Sequence, residues 1–189
     1  MQSYETLPKN LPVPEDDGAC DHLVGAALPD LVLATTKGDA VNLSKLTGVT
    51  VVYCYPMTGK PGTPLPQGWD DIPGARGCTP QSCSFRDHYA ELSRLGAAVY
   101  GMSTQDTEYQ REMAERLHLP FSVISDSGFQ FCDAMEMPSF TVDSTRLMKR
   151  VSLIISKGRI EAVHYPVFPS DTDPAWVIDY LQSRRDNQV

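Results

Sequence analysis

Apolar positions along the chain alternate between runs and helical stripes, and the changes outline its elements. The stretch LVGAALPDLVLATTKGDAVNLSKL sets apolar runs on either side of Lys37-Gly38-Asp39, a hairpin signal. VTVVYCY, residues 49–55, is a continuous β-branched and aromatic run of the kind found in strands buried on both faces, and it ends at Pro56. PQSCSFRDHYAELSRLG then takes up helical spacing, with Phe85, Tyr89, Leu92 and Leu95 on one face. Thr79 is its predicted N-cap, Pro80 its first helical residue and Gly96 its stop. AAVYGMS reads as a second buried strand. STQDTEYQREMAERLHLP reads as an amphipathic helix, with Tyr109, Met113 and Leu117 facing inward and Pro120 as its stop. FSVI is a third strand and SGFQFCDAM a short helix. KRVSLIISKGRIEAVHYPV predicts two strands turning at Lys157-Gly158, and DPAWVIDYLQSRR a terminal helix.

This order, two βαβ units followed by an antiparallel pair and a last helix, predicts an α/β chain with a mixed central sheet and helices on both faces, the outline of a thioredoxin-like fold. Residues 1–22, polar and carrying Pro8, Pro12 and Pro14, are expected to form an extended arm, residues 23–184 the folded domain, and residues 185–189 a tail. A fold of this kind does not assign a function.

Composition narrows the field. A net charge of -8 excludes the basic footprint that nucleic-acid binding requires. No run approaches the roughly 18 apolar residues of a membrane span. The first twenty residues show neither a basic start nor an apolar segment, so the expected location is cytoplasmic. Five cysteines (Cys20, Cys54, Cys78, Cys83 and Cys132) make a structural disulfide framework improbable in such a compartment, leaving core packing, metal binding or redox chemistry.

Residues 57–77 are dense in Gly and Pro and predict a loop longer than most connections, which suggests a functional one. Cys78 follows, where a buried strand has ended, the loop has returned and a helix begins. A thiolate at that point meets unpaired backbone N–H groups and the positive end of the helix dipole.

The segment GCTPQSCSFRDHYAEL resembles the active-site region of peroxiredoxins, specifically the Q type or bacterioferritin-comigratory-protein group. That family's pattern runs YP, a short loop, T-x-x-C-T and a second Cys five positions after the first. LPDLVL, VVYCYP, VYGMS, LPFSVISDSG and KRVSLIISKGRI match further family segments, so the likeness spans Leu23 to Leu181. It implies a thiol-dependent peroxidase acting on hydrogen peroxide or organic hydroperoxides. Cys78 would be the peroxidatic nucleophile, which becomes a sulfenic acid. Cys83 would be the resolving cysteine that closes an intramolecular disulfide, and thioredoxin or a similar dithiol would be the reductant. Arg150, just before VSLII, matches the arginine that holds thiolate and peroxide. Gly77, Thr79 and Thr58 would help bind substrate. The resemblance implies no metal and no organic cofactor, and a monomer or weak homodimer.

The chain departs from the family where a Thr or Ser should stand three residues before the nucleophile and a Pro seven before it; here those residues are Ala75 and Asp71. Roughly fifteen residues are inserted after Pro56. The hydroxyl that orients peroxide would then come from Thr58, Thr63 or water, or have no replacement, with Trp69 and Pro73 as walls of the site. Elsewhere, Arg76 stands close enough to the loop's end to contact the site, although loop arginines are usually solvated. Cys54 and Cys132 read as small buried hydrophobes, and Cys20 as an exposed residue of the arm. His164 is expected to be structural, Met135, Met137 and Met148 core filler, and Arg86 and Asp87 helix-surface partners. Two competing classes fit less well. A disulfide-exchange protein expects C-x-x-C. A copper-binding protein of the same fold, using two cysteines and His164, expects C-x-x-x-C and leaves Arg150 unexplained.

Overall fold

The computed structural model describes residues 6–186; the first residues of the predicted arm and the last three of the predicted tail lie outside that range. β1 (Leu33–Ala34) and β2 (Ala40–Val41) form the hairpin around Gly38. β3 (Val49–Cys54) leads into the long loop, which contains one 3-10 turn at Trp69–Asp71. Then follow α1 (Cys78–Asp87), α2 (Tyr89–Arg94), β4 (Ala97–Ser103), α3 (Thr107–Arg116), β5 (Val123–Ser125) and α4 (Gln130–Ala134). β6 (Ser139–Val142), β7 (Thr145–Met148), β8 (Val151–Ser156), β9 (Arg159–His164) and α5 (Asp173–Asp186) complete the chain.

The central sheet has the order β5-β4-β3-β8-β9. β3, β4 and β5 run parallel, and β8 and β9 are antiparallel to their neighbours. The unbroken apolar run of β3 follows from its position: Val52 and Cys54 enter one core, while Val51 and Tyr53 enter the other, beneath α1 and α5. β8 divides the same way. Val151, Leu153 and Ile155 face the first core and Ile154 the second, which places Arg150 and Ser152 at the end of the sheet nearest α1.

Several expectations change. α1 begins at Cys78, not Pro80, and its cap is Gly77 rather than Thr79. Pro80 occupies the third helical position, where its missing N–H is still one of the helix's unpaired donors. The predicted single helix breaks at His88 (φ -94°, ψ 2°), although the inward stripe of Phe85 and Leu92 continues across the break. α3 closes at Leu117, before Pro120. The hairpin β6–β7 was not expected. Its turn residues Asp143 and Ser144 both adopt positive φ without the Asn-Gly or Asp-Gly pair that announces such a turn. Cys20 is buried in the core, not exposed, and Leu23 is fully buried beside it. Residues 185 and 186 continue α5 instead of starting a tail.

Candidate active site

Gly77 sets the geometry. Its φ of 106° favours glycine, and a Cβ there would lie 2.2 Å from Ser170 Oγ and 2.7 Å from Leu7 Cδ2. The close approach lets Ser170 Oγ donate to the Gly77 carbonyl at 2.8 Å, and the same oxygen accepts the first helical bond of α1 from Gln81 N at 3.0 Å. Cys78 therefore stands at the helix N-terminus, 3% exposed.

Arg150 closes over it. The side chain is buried, and Nη2 lies 3.3 Å from Cys78 Sγ and 3.1–3.2 Å from the carbonyl oxygens of Gly74, Ala75 and Arg76. A guanidinium nitrogen with two hydrogens cannot serve four acceptors at once, so sulfur and main chain share it. The Cys78 thiol in turn donates to Ala75 O at 3.5 Å. Ala75, at the position where a hydroxyl was expected, offers a carbonyl and a fully buried methyl instead. Arg150 Nη1 donates to Gln81 Oε1, while Gln81 Nε2 donates to Asp173 Oδ2 at 2.7 Å.

The Thr58 hydroxyl is committed to another partner. Thr58 Oγ1 donates to Gln105 Oε1 at 3.2 Å, and Thr63 is exposed. Thr58, Gly77 and Thr79 do line the space beside Cys78, together with Trp69, but that space is only about 10 Å³. This is the lower limit for one water. The loop is packed down: Trp69 is 3% exposed and joins Ala75 and Leu147 in a small core, with Phe140 of β6 6.1 Å away. Pro73, expected as a second wall beside Cys78, instead lines a separate cavity of about 440 Å³ with Pro14, Phe140, Lys149, Arg150 and Tyr165. Arg76 is buried and paired with Asp70 at 3.0 Å, not solvated.

The Redoxin family model matches residues 23–177. The putative peroxiredoxin bcp of Coxiella burnetii is 31% identical over 166 residues, covering 84% of this chain and 97% of the relative. The chain belongs to the peroxiredoxins of the Q type. A putative chloroplastic peroxiredoxin Q of Oryza sativa subsp. indica is 38% identical over 105 residues; that match covers 55% of this peroxiredoxin and 42% of the plant protein. In three dimensions, a mutant form of PrxQ from Xylella fastidiosa has a TM-score of 0.70 at 18% identity, covering 86% of this chain and 96% of that one, and so shares the fold.

The remaining thiols of this peroxiredoxin divide between the two faces of the sheet. Cys83 lies half-buried on α1, packed against the α1–α5 core. Cys20, Cys54 and Cys132 belong to the core on the opposite face of the sheet. Burial pushes the Cys20 thiol up to about 12, Cys132 to about 11 and Cys54 well above the usual thiol range. Met135, Met137 and Met148 fill that same core. Arg86 pairs with Asp87 at 2.8 Å. His164, the histidine of the copper reading, has Nδ1 2.7 Å from Asp173 Oδ1 and its ring stacked on Trp176 at 4.5 Å. Among the described residues, no three His, Cys, Asp or Glu side chains converge as a metal site, and no helix is long and apolar enough to cross a membrane.

Sequence reasoning missed Gln81, Ser152 and Asp173. Gln81 lay inside the quoted motif without a role, and Asp173 read only as the start of a helix. Their bond joins positions 92 residues apart, which no local pattern reveals.

Proposed function

We propose that this peroxiredoxin is a thiol-dependent peroxidase reducing hydrogen peroxide or organic hydroperoxides, with Cys78 as nucleophile, Cys83 as resolver and Arg150 as the stabilising cation. The observation that carries it is Arg150 Nη2 at 3.3 Å from a cysteine sulfur at a helix N-terminus. Both groups favour negative charge on that sulfur. An ionised thiol alone does not suffice for fast peroxide reduction, so donors that meet charge developing on the leaving oxygen must supply the rest. Arg150 has a planar fork that can hold sulfur and oxygen together.

In the first step the Cys78 thiolate attacks one peroxide oxygen and the O–O bond breaks. Sulfur is oxidised to the sulfenic acid, and the departing oxygen takes up a proton to leave as water or an alcohol. Cys83 then attacks the sulfenic sulfur, forming the disulfide and releasing water. A dithiol of the thioredoxin kind returns both cysteines to thiols by exchange. Gly77 and Thr79 would line the peroxide's path. A cytoplasmic setting suits the cysteine content, which fits a reducing compartment, and a monomer or weak homodimer needs no residue from a second copy at this site.

The test is peroxide consumption by three proteins. Wild type should turn over with a dithiol reductant. Cys83→Ser should consume one equivalent and accumulate sulfenic acid, and Cys78→Ser should consume none. Equal consumption by Cys78→Ser and wild type would remove the assignment.

A further inference from the structure

Asp173 is fully buried at the first position of α5, more than ninety residues in sequence from Cys78, and has no place in the chemistry above. Its carboxylate is nonetheless fully engaged. Oδ2 accepts from Gln81 Nε2 at 2.7 Å and from Ser152 Oγ at 2.6 Å, and Oδ1 faces His164 Nδ1 at 2.7 Å. These partners come from α1, β8 and β9, so one carboxylate ties three elements to α5. The N-terminus of α5 adds a favourable dipole for its charge.

A glutamine amide is chemically two-faced: one end only donates and the other only accepts. An ionised carboxylate accepts only, so Asp173 can be met solely by the NH₂ end of Gln81. The carbonyl end must then point the other way, at Arg150 Nη1. Turned over, the amide would set NH₂ against the guanidinium and a carbonyl against the carboxylate, two repulsive contacts in a buried space. Nη1 is thereby held, and Nη2 of the same rigid plane stays aimed at Cys78 Sγ and the carbonyls of residues 74–76.

We infer that Asp173 is a positioning residue: it fixes the sense of the Gln81 amide and, through it, the orientation of Arg150 over Cys78. The inference rests on the reading of Cys78 as the peroxidatic nucleophile. Ser152 and His164 hold the carboxylate, and Trp176 holds the imidazole by stacking. Arg150 balances the buried negative charge through the neutral amide between them.

The logic predicts a rescue. Asp173→Asn leaves the amide of Gln81 facing another amide, so either sense is allowed. Adding Gln81→Glu restores a single sense, because the carboxylate introduced on α1 accepts from Arg150 on one side and from the amide introduced on α5 on the other. The experiment compares wild type, Asp173→Asn and the Asp173→Asn/Gln81→Glu double variant in single-turnover reaction with hydrogen peroxide. Each protein's thiolate absorbance is also followed against pH, with Cys83→Ser as the common background. Asp173→Asn is expected to react about tenfold or more slowly, the scale seen when a partner that orients a functional ligand is removed. Its thiolate absorbance should appear at higher pH, and the double variant should recover to within about threefold of wild type. A merely structural role would lower the melting temperature of both variants without moving the thiolate titration. Unchanged rate and titration in folded Asp173→Asn, or failure of the double variant to recover either, overturns the inference. If Asp173→Asn does not fold, Gln81→Met decides, because it keeps the buried carboxylate and cuts only the link: a wild-type rate overturns the inference, and a slowed rate with a raised titration supports it. Failure of the underlying reading shows itself separately, as no peroxide reaction in wild type.

Discussion

Arg150 Nη2 and Cys78 Sγ lie 3.3 Å apart, and Nη2 also reaches three consecutive main-chain carbonyls. The carbonyls compete with sulfur for the same two hydrogens while the cysteine is a neutral thiol that donates to Ala75. Once it is ionised, sulfur is the strongest acceptor of the four, because a charged acceptor roughly doubles the bond. The arginine thus acts differently on the two protonation states of one atom.

Arg150→Met should slow reaction with peroxide by roughly 10² or more, the cost of one lost oxyanion-type donor, about 3 kcal/mol. Stopped-flow measurement in the Cys83→Ser background checks it. A change below about threefold would make Arg150 structural, since one hundredfold is the smallest effect expected of such a donor.

Thiol labelling tests which cysteines serve as packing. With ionisation pushed up by burial, Cys20 to about 12, Cys132 to about 11 and Cys54 well above the usual thiol range, these three should resist iodoacetamide at neutral pH in the folded, reduced protein. Label on these three should appear only after unfolding, and peptide mapping reads the result. Rapid modification of Cys54 or Cys132 before unfolding would contradict the core assignment.

The proposed Cys78–Cys83 disulfide would require movement. Cys78 and Cys83 both lie in α1, and five helical residues separate their Cα atoms by about 8–9 Å. A disulfide needs about 4.4–6.8 Å. Phe85, fully buried and stacked on Tyr53 at 4.3 Å, anchors the helix just beyond Cys83. Oxidation should therefore raise amide exchange from Cys78 to about Phe85 while β3, β4 and β8 stay protected. Identical exchange in the reduced and disulfide forms would point to another resolving thiol.

The described part of the arm is fastened by Asp17, which pairs with Lys149 at 2.7 Å and accepts from Tyr165 Oη at 2.8 Å. The Lys149 ammonium and the Tyr165 hydroxyl hold its carboxyl down, from 3.8 to about 2. A lowered folded value means the stabilisation is complete above pH 3.8 and is lost as pH falls toward about 2. Asp17 is half-exposed, so solvent screening keeps the effect modest. Urea midpoints of wild type and Asp17→Asn should differ at neutral pH and converge across that acid window. A constant difference would place the stabilisation elsewhere.

Much of this was legible from residue order. β3, β4, β8 and the Lys157-Gly158 turn announced themselves because buried strands and glycine turns leave local signatures, and Cys78 stood out at a strand–loop–helix junction. The hairpin β6–β7 did not, since positive φ at Asp143 and Ser144 is imposed by its surroundings rather than by glycine. The long loop's packing was also hidden. Trp69 is buried by meeting Phe140 and Leu147, residues of that same unforeseen hairpin. Gln81 and Asp173 carried no pattern at all, because a polar contact between distant positions has no period.

Gln81 lies between the two cysteines, inside the turn that must unwind for them to meet. Opening that turn would remove Gln81 from both Arg150 and Asp173, so on the proposed roles the geometry that favours a reactive Cys78 and the geometry that would let Cys83 reach it exclude one another. On the proposed roles, the sulfenic acid would have two exits on one clock: attack by a second peroxide while the helix stays wound, or attack by Cys83 once it opens. The lifetime of the wound state would then set the odds between irreversible damage and recovery, and the Gln81–Asp173 bond is one of the contacts that opening has to break.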